Sequence, residues 1–245
     1  MATENPLVLP GDEIDPSLIP THKTKPLRLG PGLRHVPPNQ ILPTLAGHLI
    51  ADHRKNALYV EYNGGRYIPS PSDLVIGQVT RSAADLYYVN LTPYTPNASL
   101  PHLAFEGATK KTRPQLANGA LVYARISLAN RHMDPELECV STSTGKSEGL
   151  GPLTGGMVFD ISLGLARRLL MARSRDVGKV AVLELLGAEG LAFETAVGRN
   201  GKVWVNSESV KTVVVVGRAL KETDEKELGV EQQKKLVQKL IKEMR

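Results

Sequence analysis

Proline sets the first limit on this fold. Its ring locks φ and removes the backbone donor, so it does not sit inside helices, and prolines recur from Pro6 through Pro10, Pro31, Pro37 and Pro38 to Pro69. The pieces between them are short and extended: 6–11, 30–33, Thr44 to Ile50, Ala57 to Tyr62 and Arg66 to Ile68. Asn63-Gly64-Gly65, between the last two, supplies the residue types that a tight hairpin turn needs. Residues 1–70 are therefore expected to form a small β unit with an extended leading arm. The arm has too few apolar side chains to fold alone, so it should lie on another surface.

β structure continues beyond this unit and then gives way. Leu74 to Val79, Leu86 to Leu91, Ala120 to Leu128 and Leu137 to Val140 read as strands separated by turn residues. That spacing is the pattern of an all-β barrel over 71–150. The segment 105–116, with Gly107, Pro114 and a basic run, reads as a long mobile surface loop, and the glycines from Gly145 to Gly156 mark a hinge. Val158 to Ser162 then reads as a strand, Leu163 to Ala172 and Val180 to Leu186 as helices, and Leu191 to Val197 with Lys202 to Asn206 as a hairpin. Val213 to Val216 stays open between a strand, which consecutive valines favour, and a helix capped by Ser207. Leu236, Val237, Leu240, Ile241 and Met244 follow helical spacing, so an amphipathic helix ends the chain. This order makes residues 151–245 a KH-like α+β domain, and the expected fold class is mostly β plus α+β.

Composition narrows the function classes. With 245 residues, 41% hydrophobic and 22% charged, the chain can build one large core or two to three small ones. No apolar run reaches the roughly eighteen residues that span a bilayer. Met1 to Pro6 lacks the basic start and apolar stretch of a signal peptide. Cys139 stands alone and cannot form an internal disulfide. Secreted and membrane roles are disfavoured. The net charge of +5 lies mostly from Gly151 onward; it is compatible with nucleic acid without requiring it.

Motifs for catalytic or metal chemistry fail on their context. Ser143-Thr144-Gly145-Lys146-Ser147 resembles the end of a phosphate-binding loop, but Val140 stands where that loop needs its first glycine. Gly149, Gly151 and Gly155 mimic a dinucleotide fingerprint yet lead into a strand, not a helix. Asp134, Glu136 and Glu138 alternate and would share one strand face, which fits a solvated barrel edge better than a metal site. The histidines His22, His35, His48, His53, His102 and His132 lack metal-ligand spacing, and no nucleophile elbow is present. No catalytic residue, metal or cofactor is expected.

Gly198-Arg199-Asn200-Gly201 could pass for the Gly-x-x-Gly loop with which KH domains clamp RNA backbone. That clamp belongs between helices; here strands flank it, and Asn-Gly between strands signals a hairpin turn. Gly198, Asn200, Gly201 and nearby Trp204 are therefore read as structural. The junction that would hold the clamp, Met171 to Lys179, carries Arg173, Ser174, Arg175 and Lys179 instead. Lys110, Lys111 and Arg113 on the long loop are the candidate RNA contacts, three charges that neutralise phosphates without reading sequence. Arg167 and Arg168 on a helix read as solvent-facing. With aromatic residues at 4%, base stacking is limited to Tyr87, Tyr88 and Phe105.

Several of these runs, taken in order, resemble one known family. They are Val8-Leu9-Pro10-Gly11-Asp12-Glu13, Gly30-Pro31-Gly32-Leu33-Arg34, Arg66-Tyr67-Ile68-Pro69 and Asp73-Leu74-Val75-Ile76-Gly77. The run Phe105-Glu106-Gly107-Ala108-Thr109-Lys110-Lys111-Thr112-Arg113-Pro114 follows, and then Gly-x-Asn-Gly with Lys202-Val203-Trp204-Val205. Together they resemble the S1/KH cap subunits of the eukaryotic RNA exosome, of the ribosomal RNA-processing protein forty type, over nearly the whole chain. The resemblance implies an N-terminal β domain, a central S1 barrel of OB type and a C-terminal KH domain.

It also implies a subunit that is not itself a nuclease. Such a subunit sits with other cap subunits on a ring of RNase PH-like proteins, bridges ring neighbours and guides single-stranded RNA to a separate 3′-to-5′ nuclease. The implied locations are the nucleus, including the nucleolus, and the cytoplasm, with no cofactor and no membrane. The resemblance further implies that Gly-x-Asn-Gly replaces the RNA-gripping loop and that Ser207 to about Leu220 is helical. One departure stands out: many S1 domains carry Phe-Gly-x-Phe on an early strand, where this chain has Asp85-Leu86-Tyr87-Tyr88. Weak RNA affinity of the isolated chain is the expectation. The alternative is a free-standing S1/KH single-stranded RNA-binding protein in translation or RNA stability, which would bind tightly on its own.

Overall fold

The structure is a computed structural model that describes residues 6–22, 24–53, 55–62, 64–130, 132–141, 143–171 and 180–244. The chain divides into two compact units, Met1–Gly64 and Gly65–Arg245. In the first, the proline-broken pieces become β1 (Leu7–Val8), β2 (Arg28–Leu29), β3 (Leu33–Val36), β4 (Gln40–Pro43), β5 (Gly47–Asp52) and β6 (Ala57–Glu61). β1, β5, β6 and β2 form one sheet in that order, and β3 with β4 a separate hairpin. The start of the leading arm finds its surface within the unit: β1 pairs with β5, and Val8 joins Leu49, Leu58 and Val60 in the core.

Two expectations fail at the end of this unit. The hairpin partner of β6 is β5, with Asp52 opposite Ala57. The positive φ near that turn belongs to Asn56, at 49°; Asn63 of the expected turn lies outside the described residues. Arg66 to Ile68 forms no strand. Tyr67 is instead buried in the core of the second unit, its hydroxyl donating to Asp73 Oδ2 at 2.9 Å.

The second unit opens with a closed barrel. β7 (Leu74–Ser82), β8 (Leu86–Asn90), β9 (Ala98–Pro101), β10 (Leu121–Leu128) and β11 (Glu136–Glu138) run in the order β10-β7-β8-β9-β11, and β11 pairs back onto β10. This is the S1/OB barrel. Period-two alternation fills it, with Tyr87, Val89, Leu100, Val122, Ala124 and Ile126 turned inward. β9 is the strand that sequence reading misses, because Pro96 and Pro101 hide a four-residue alternation. A further short strand, β12 (Gly151–Leu153), pairs with Leu121 to Tyr123 of β10 on the edge opposite β7, alongside β11.

All barrel pairings are antiparallel except that of β9 with β11, which is parallel. Two neighbouring parallel strands send their following segments out of the same end of a barrel. The chain after β9 and the chain after β11 therefore meet, and the Cys139 N–H donates to Ala104 O at 2.9 Å.

The KH-like part is α+β. Its elements are β13 (Met157–Asp160), α1 (Leu163–Leu170), α2 (Val182–Ala188), β14 (Glu194–Gly198), β15 (Lys202–Asn206), α3 (Val210–Glu225) and α4 (Val230–Met244), with sheet order β13-β15-β14. The valine run is helical. Val213, Val215 and Val216 are buried against β15, α2 and α4, so packing overrides β propensity. Ser207 is not the cap: Ser209 holds that position, and the Ser207 hydroxyl donates to Ala192 O at 2.7 Å. Ser162 caps α1 by accepting from Leu165 N–H, and its own N–H donates to Asp224 Oδ2 on α3 at 2.6 Å. The junction residues Arg173, Ser174, Arg175 and Lys179 lie outside the described residues.

Gly77 on β7 marks the tightest strand contact in the barrel wall, since a Cβ there would lie 2.2 Å from Val89 Cγ1. Val89 is fully buried and β-branched, so it has little freedom to move aside. Gly77→Ala should destabilise the second unit by about 1–3 kcal/mol of overpacking, partly offset by the lower entropy of the unfolded chain. Urea unfolding followed by near-UV dichroism checks this; an unchanged midpoint would contradict the packing described.

Candidate nucleic-acid interface

The Gly198–Gly201 turn packs against the outside of the barrel wall. The β7–β8 ladder ends at Gln78 opposite Asn90, leaving the backbone of Ile76 and Leu91 without strand partners on that side. Asn200, 5% exposed, fills the gap. Its Nδ2 donates to Ile76 O at 2.8 Å and Leu91 O at 2.9 Å, and its Oδ1 accepts from Ile76 N–H at 3.2 Å. Arg199 N–H donates to Leu74 O at 2.6 Å, and the Arg199 guanidinium lies 3.6 Å from Asp73. A Cβ on Gly198 would come 2.8 Å from Ile76 N, and Gly201 has a φ of 77°. Trp204 donates from Nε1 to Gly155 O at 2.9 Å and packs with Ile76 and Ala196. The turn is committed to protein and leaves no bare backbone for a phosphate.

The basic run after β9 lies in the expected loop and closes into a hydrogen-bonded turn. Thr109 and Thr112 hydroxyls meet at 2.8 Å, Thr112 Oγ1 donates to Gly107 O at 3.2 Å, and Arg113 N–H donates to Thr109 O at 3.0 Å. This turn leaves Lys110 and Lys111 exposed. Arg113 behaves differently: it is half-buried and its guanidinium donates to His102 Nδ1. A guanidinium only donates, so His102 must accept there and carry its proton on Nε2, which faces Ser82 Oγ at 3.5 Å. The His102 ring lies 4.2 Å from the Tyr87 ring at 48°. Burial, and then the charge of Arg113, lower the His102 pKa.

The aromatic candidates separate as well. Tyr87 and Phe105 are core residues, 3% and 6% exposed: strand alternation turns Tyr87 inward, and Phe105 packs into the same core from the loop after β9. The Tyr87 hydroxyl donates to Pro114 O at 2.8 Å and accepts from Leu116 N–H. Neither is available for stacking. Tyr88 points outward, and the Arg81 guanidinium sits 4.1 Å from its ring centroid. Beside it an open groove of about 570 Å³ runs along β8 and β9, lined by Leu86, Tyr88, Ser99, His132, Met133, Asp134 and Glu136. Ser99 has no signal in the sequence because β9 has none, and His132 and Met133 lie in the bend before β11, where no periodicity marks a face. Asp134 and Glu136 line this groove, and Glu138, on the same face of β11 as Glu136, lies farther along the strand, 3.9 Å from Arg125. Arg167 and Arg168 are half-buried and not solvent-facing.

Comparison with known proteins agrees with this architecture. Family models match in chain order: the N-terminal domain of exosome complex exonuclease Rrp40 over 27–66, the S1 domain of exosome complex component RRP40 over 67–151, and a KH domain over 156–211. The exosome complex component rrp40 of Schizosaccharomyces pombe is 39% identical over 96% of this chain and 94% of its own. The chain belongs to the RRP40 family. The RRP40 components of Saccharomyces cerevisiae and Drosophila melanogaster are 37% and 39% identical, covering 89% and 90% of both chains respectively. A crystal structure assigned as an exosome complex RNA-binding protein covers 73% of this chain and 97% of its own, with a TM-score of 0.56. At 20% identity it shows a shared fold alone.

In this RRP40-family chain the turn and the buried histidine each make a measurable prediction. Asn200→Ala strands the Ile76 and Leu91 backbone groups in a buried site and should cost about 2–4 kcal/mol. Asn200→Asp should be no better, since a carboxylate oxygen would face two carbonyls. Urea unfolding of both variants checks this; a loss under about 1 kcal/mol for each would refute the latch. His102 holds a folded-state pKa below its ordinary 6.5, so the unfolded chain takes up that proton first. The stabilisation is complete above about pH 6.5 and is lost as pH falls from there towards the folded-state value. His102→Gln should flatten the fall of unfolding free energy over that window, and an unchanged slope would exclude the assigned neutral state.

Proposed function

We propose that this chain is a non-catalytic cap subunit of an RNA exosome. It bridges RNase PH-like ring subunits, sits with other cap subunits, and guides single-stranded RNA into the central channel for 3′-to-5′ degradation and processing by a separate nuclease. On this reading 1–70 is the docking β domain, 71–150 the RNA-facing S1 barrel and 151–245 the KH-like support. The protein works in the nucleus, including the nucleolus, and in the cytoplasm.

The Asn200 latch carries the reading. In a chain whose relatives are named exosome components over almost their full length, it takes the one turn that imitates the KH clamp and uses it to join KH-like part to barrel. RNA contact then falls to the barrel, where Lys110 and Lys111 are exposed. The carboxylates nearest this end have structural duties: Glu106 accepts from Ser147 N–H at 2.7 Å, and Glu148 from Thr144 Oγ1 at 2.7 Å. That favours guidance over hydrolysis.

The mechanism is electrostatic. Lysines on a hydrogen-bonded turn replace counterions along the strand, so attraction is salt-dependent and nearly blind to base sequence. Lys110→Ala/Lys111→Ala should leave assembly intact, reduce RNA crosslinking in the assembled complex, and lower the salt dependence of binding by about 1.4 in log–log slope, roughly 0.7 per lost phosphate contact on a single strand. Unchanged crosslinking and slope would refute the role of this loop.

A further inference from the structure

The Ser143-Thr144-Gly145-Lys146-Ser147 motif fails as a nucleotide-binding loop, yet the fold gives it a position beside the basic turn. It follows β11, and the basic turn follows β9; the parallel pairing of these strands, Glu136 opposite Ser99, delivers both segments to one end of the barrel. A staple then joins them. Glu106, on the segment leading into the basic turn, accepts a hydrogen bond from Ser147 N–H at 2.7 Å. The motif is itself a closed turn, with Gly145 N–H donating to Ser141 O and Ser141 N–H to Lys146 O, both at 2.8 Å.

The side chain of Lys146 is exposed on this stapled turn and makes no ion pair within 4.0 Å among the described residues. Glu106 feels the charge of Lys146, but its carboxylate is engaged mainly by the Ser147 backbone. Glu148 is likewise engaged, by Thr144 Oγ1 at 2.7 Å and by Arg125 at 3.6 Å. Arg113, by contrast, has its guanidinium committed to His102. Counting charges by what each side chain already does gives a different trio from the one that lies contiguous in sequence.

We infer that Lys146, with Lys110 and Lys111, forms a two-loop site for the phosphate backbone of single-stranded RNA, and that Arg113 is a structural residue of the barrel. The inference deepens the function proposed above and rests on it. Two stapled loops offer phosphates a wider span of charge than one turn does, and a strand crossing both is held without any base being read.

The test uses the full chain within the assembled complex and a photoactivatable single-stranded oligouridine. Lys146→Ala should lower crosslinking and reduce the log–log salt slope by about 0.7, one phosphate contact. Because Lys146 is exposed, folding is not at stake. Glu106→Gln keeps an oxygen for the Ser147 N–H while removing the nearby negative charge, and should raise crosslinking. If Lys110→Ala/Lys111→Ala lowers the slope and Lys146→Ala does not, the two-loop site is wrong while the guiding function stands. If none of these variants lowers it, the guiding role of this barrel end falls as well.

Discussion

A peptide group inside a folded chain needs a donor and an acceptor opposite it, and a strand that loses its neighbour must find them elsewhere. β7 pairs with β8 only from Gln78 onward, and before it Ile76 and, across the gap, Leu91 are completed by the side-chain amide of Asn200. An amide carries the same donor and acceptor as a peptide bond, so Asn200 acts as one more peptide unit of the ladder. The surrounding glycines follow from that. Gly198 is small because barrel backbone passes beside it, and Gly201 turns the chain back at positive φ. A KH clamp uses bare glycine backbone to approach phosphate; here the same device approaches another strand. The first part of β7 is buried on both faces as a result, with Val75 in the barrel core and Ile76 packed on Trp204.

Barrel topology decides the rest of the interface. One parallel pairing in an otherwise antiparallel barrel gathers two loops at one end, and a third joins them where His102 N–H donates to Asp85 O at 2.9 Å. Within that end, acidic groups make short hydrogen bonds to backbone or hydroxyl partners, while the lysines reach outward. Glu106 and Glu148 are held below their ordinary pKa chiefly by those hydrogen bonds, so they stay ionised and keep the loops closed.

Much of this was legible in the sequence, and the failures have physical causes. β7, β8 and β10 show clear alternation, and α4 shows its apolar stripe, because burial on one face writes a period into the sequence. β9 was not legible: four residues between prolines carry too little pattern. Asn63-Gly64-Gly65 drew a hairpin away from its place because turn chemistry is local, whereas the partner of β6 is set by the core of Leu49, Leu58 and Val60. The valine run went to helix once three of its members had neighbours to bury against. At the interface, the Lys-Lys-Thr-Arg run was visible as charge, but its division into two exposed lysines and one arginine bound to His102 was not. That division depends on a contact across eleven residues of loop.

The scarcity of aromatic residues shapes what such an interface does. Stacking on an aromatic ring is worth roughly 1–3 kcal/mol per base and fixes the position of that base. In this barrel Tyr87 and Phe105 are core, and the outer Tyr88 already has a guanidinium on its ring. Tyr94, between β8 and β9, is exposed, but stacking surface is small, and in the function proposed above charge does most of the holding. A phosphate bound by a lysine exchanges readily with counterions, and the next phosphate along is chemically identical. A strand held this way keeps its path without keeping its register. For a molecule proposed to pass RNA onward, that is the useful property: an aromatic platform would hold each base in a well and oppose movement, whereas a stapled pair of cationic loops leaves the strand free to slide.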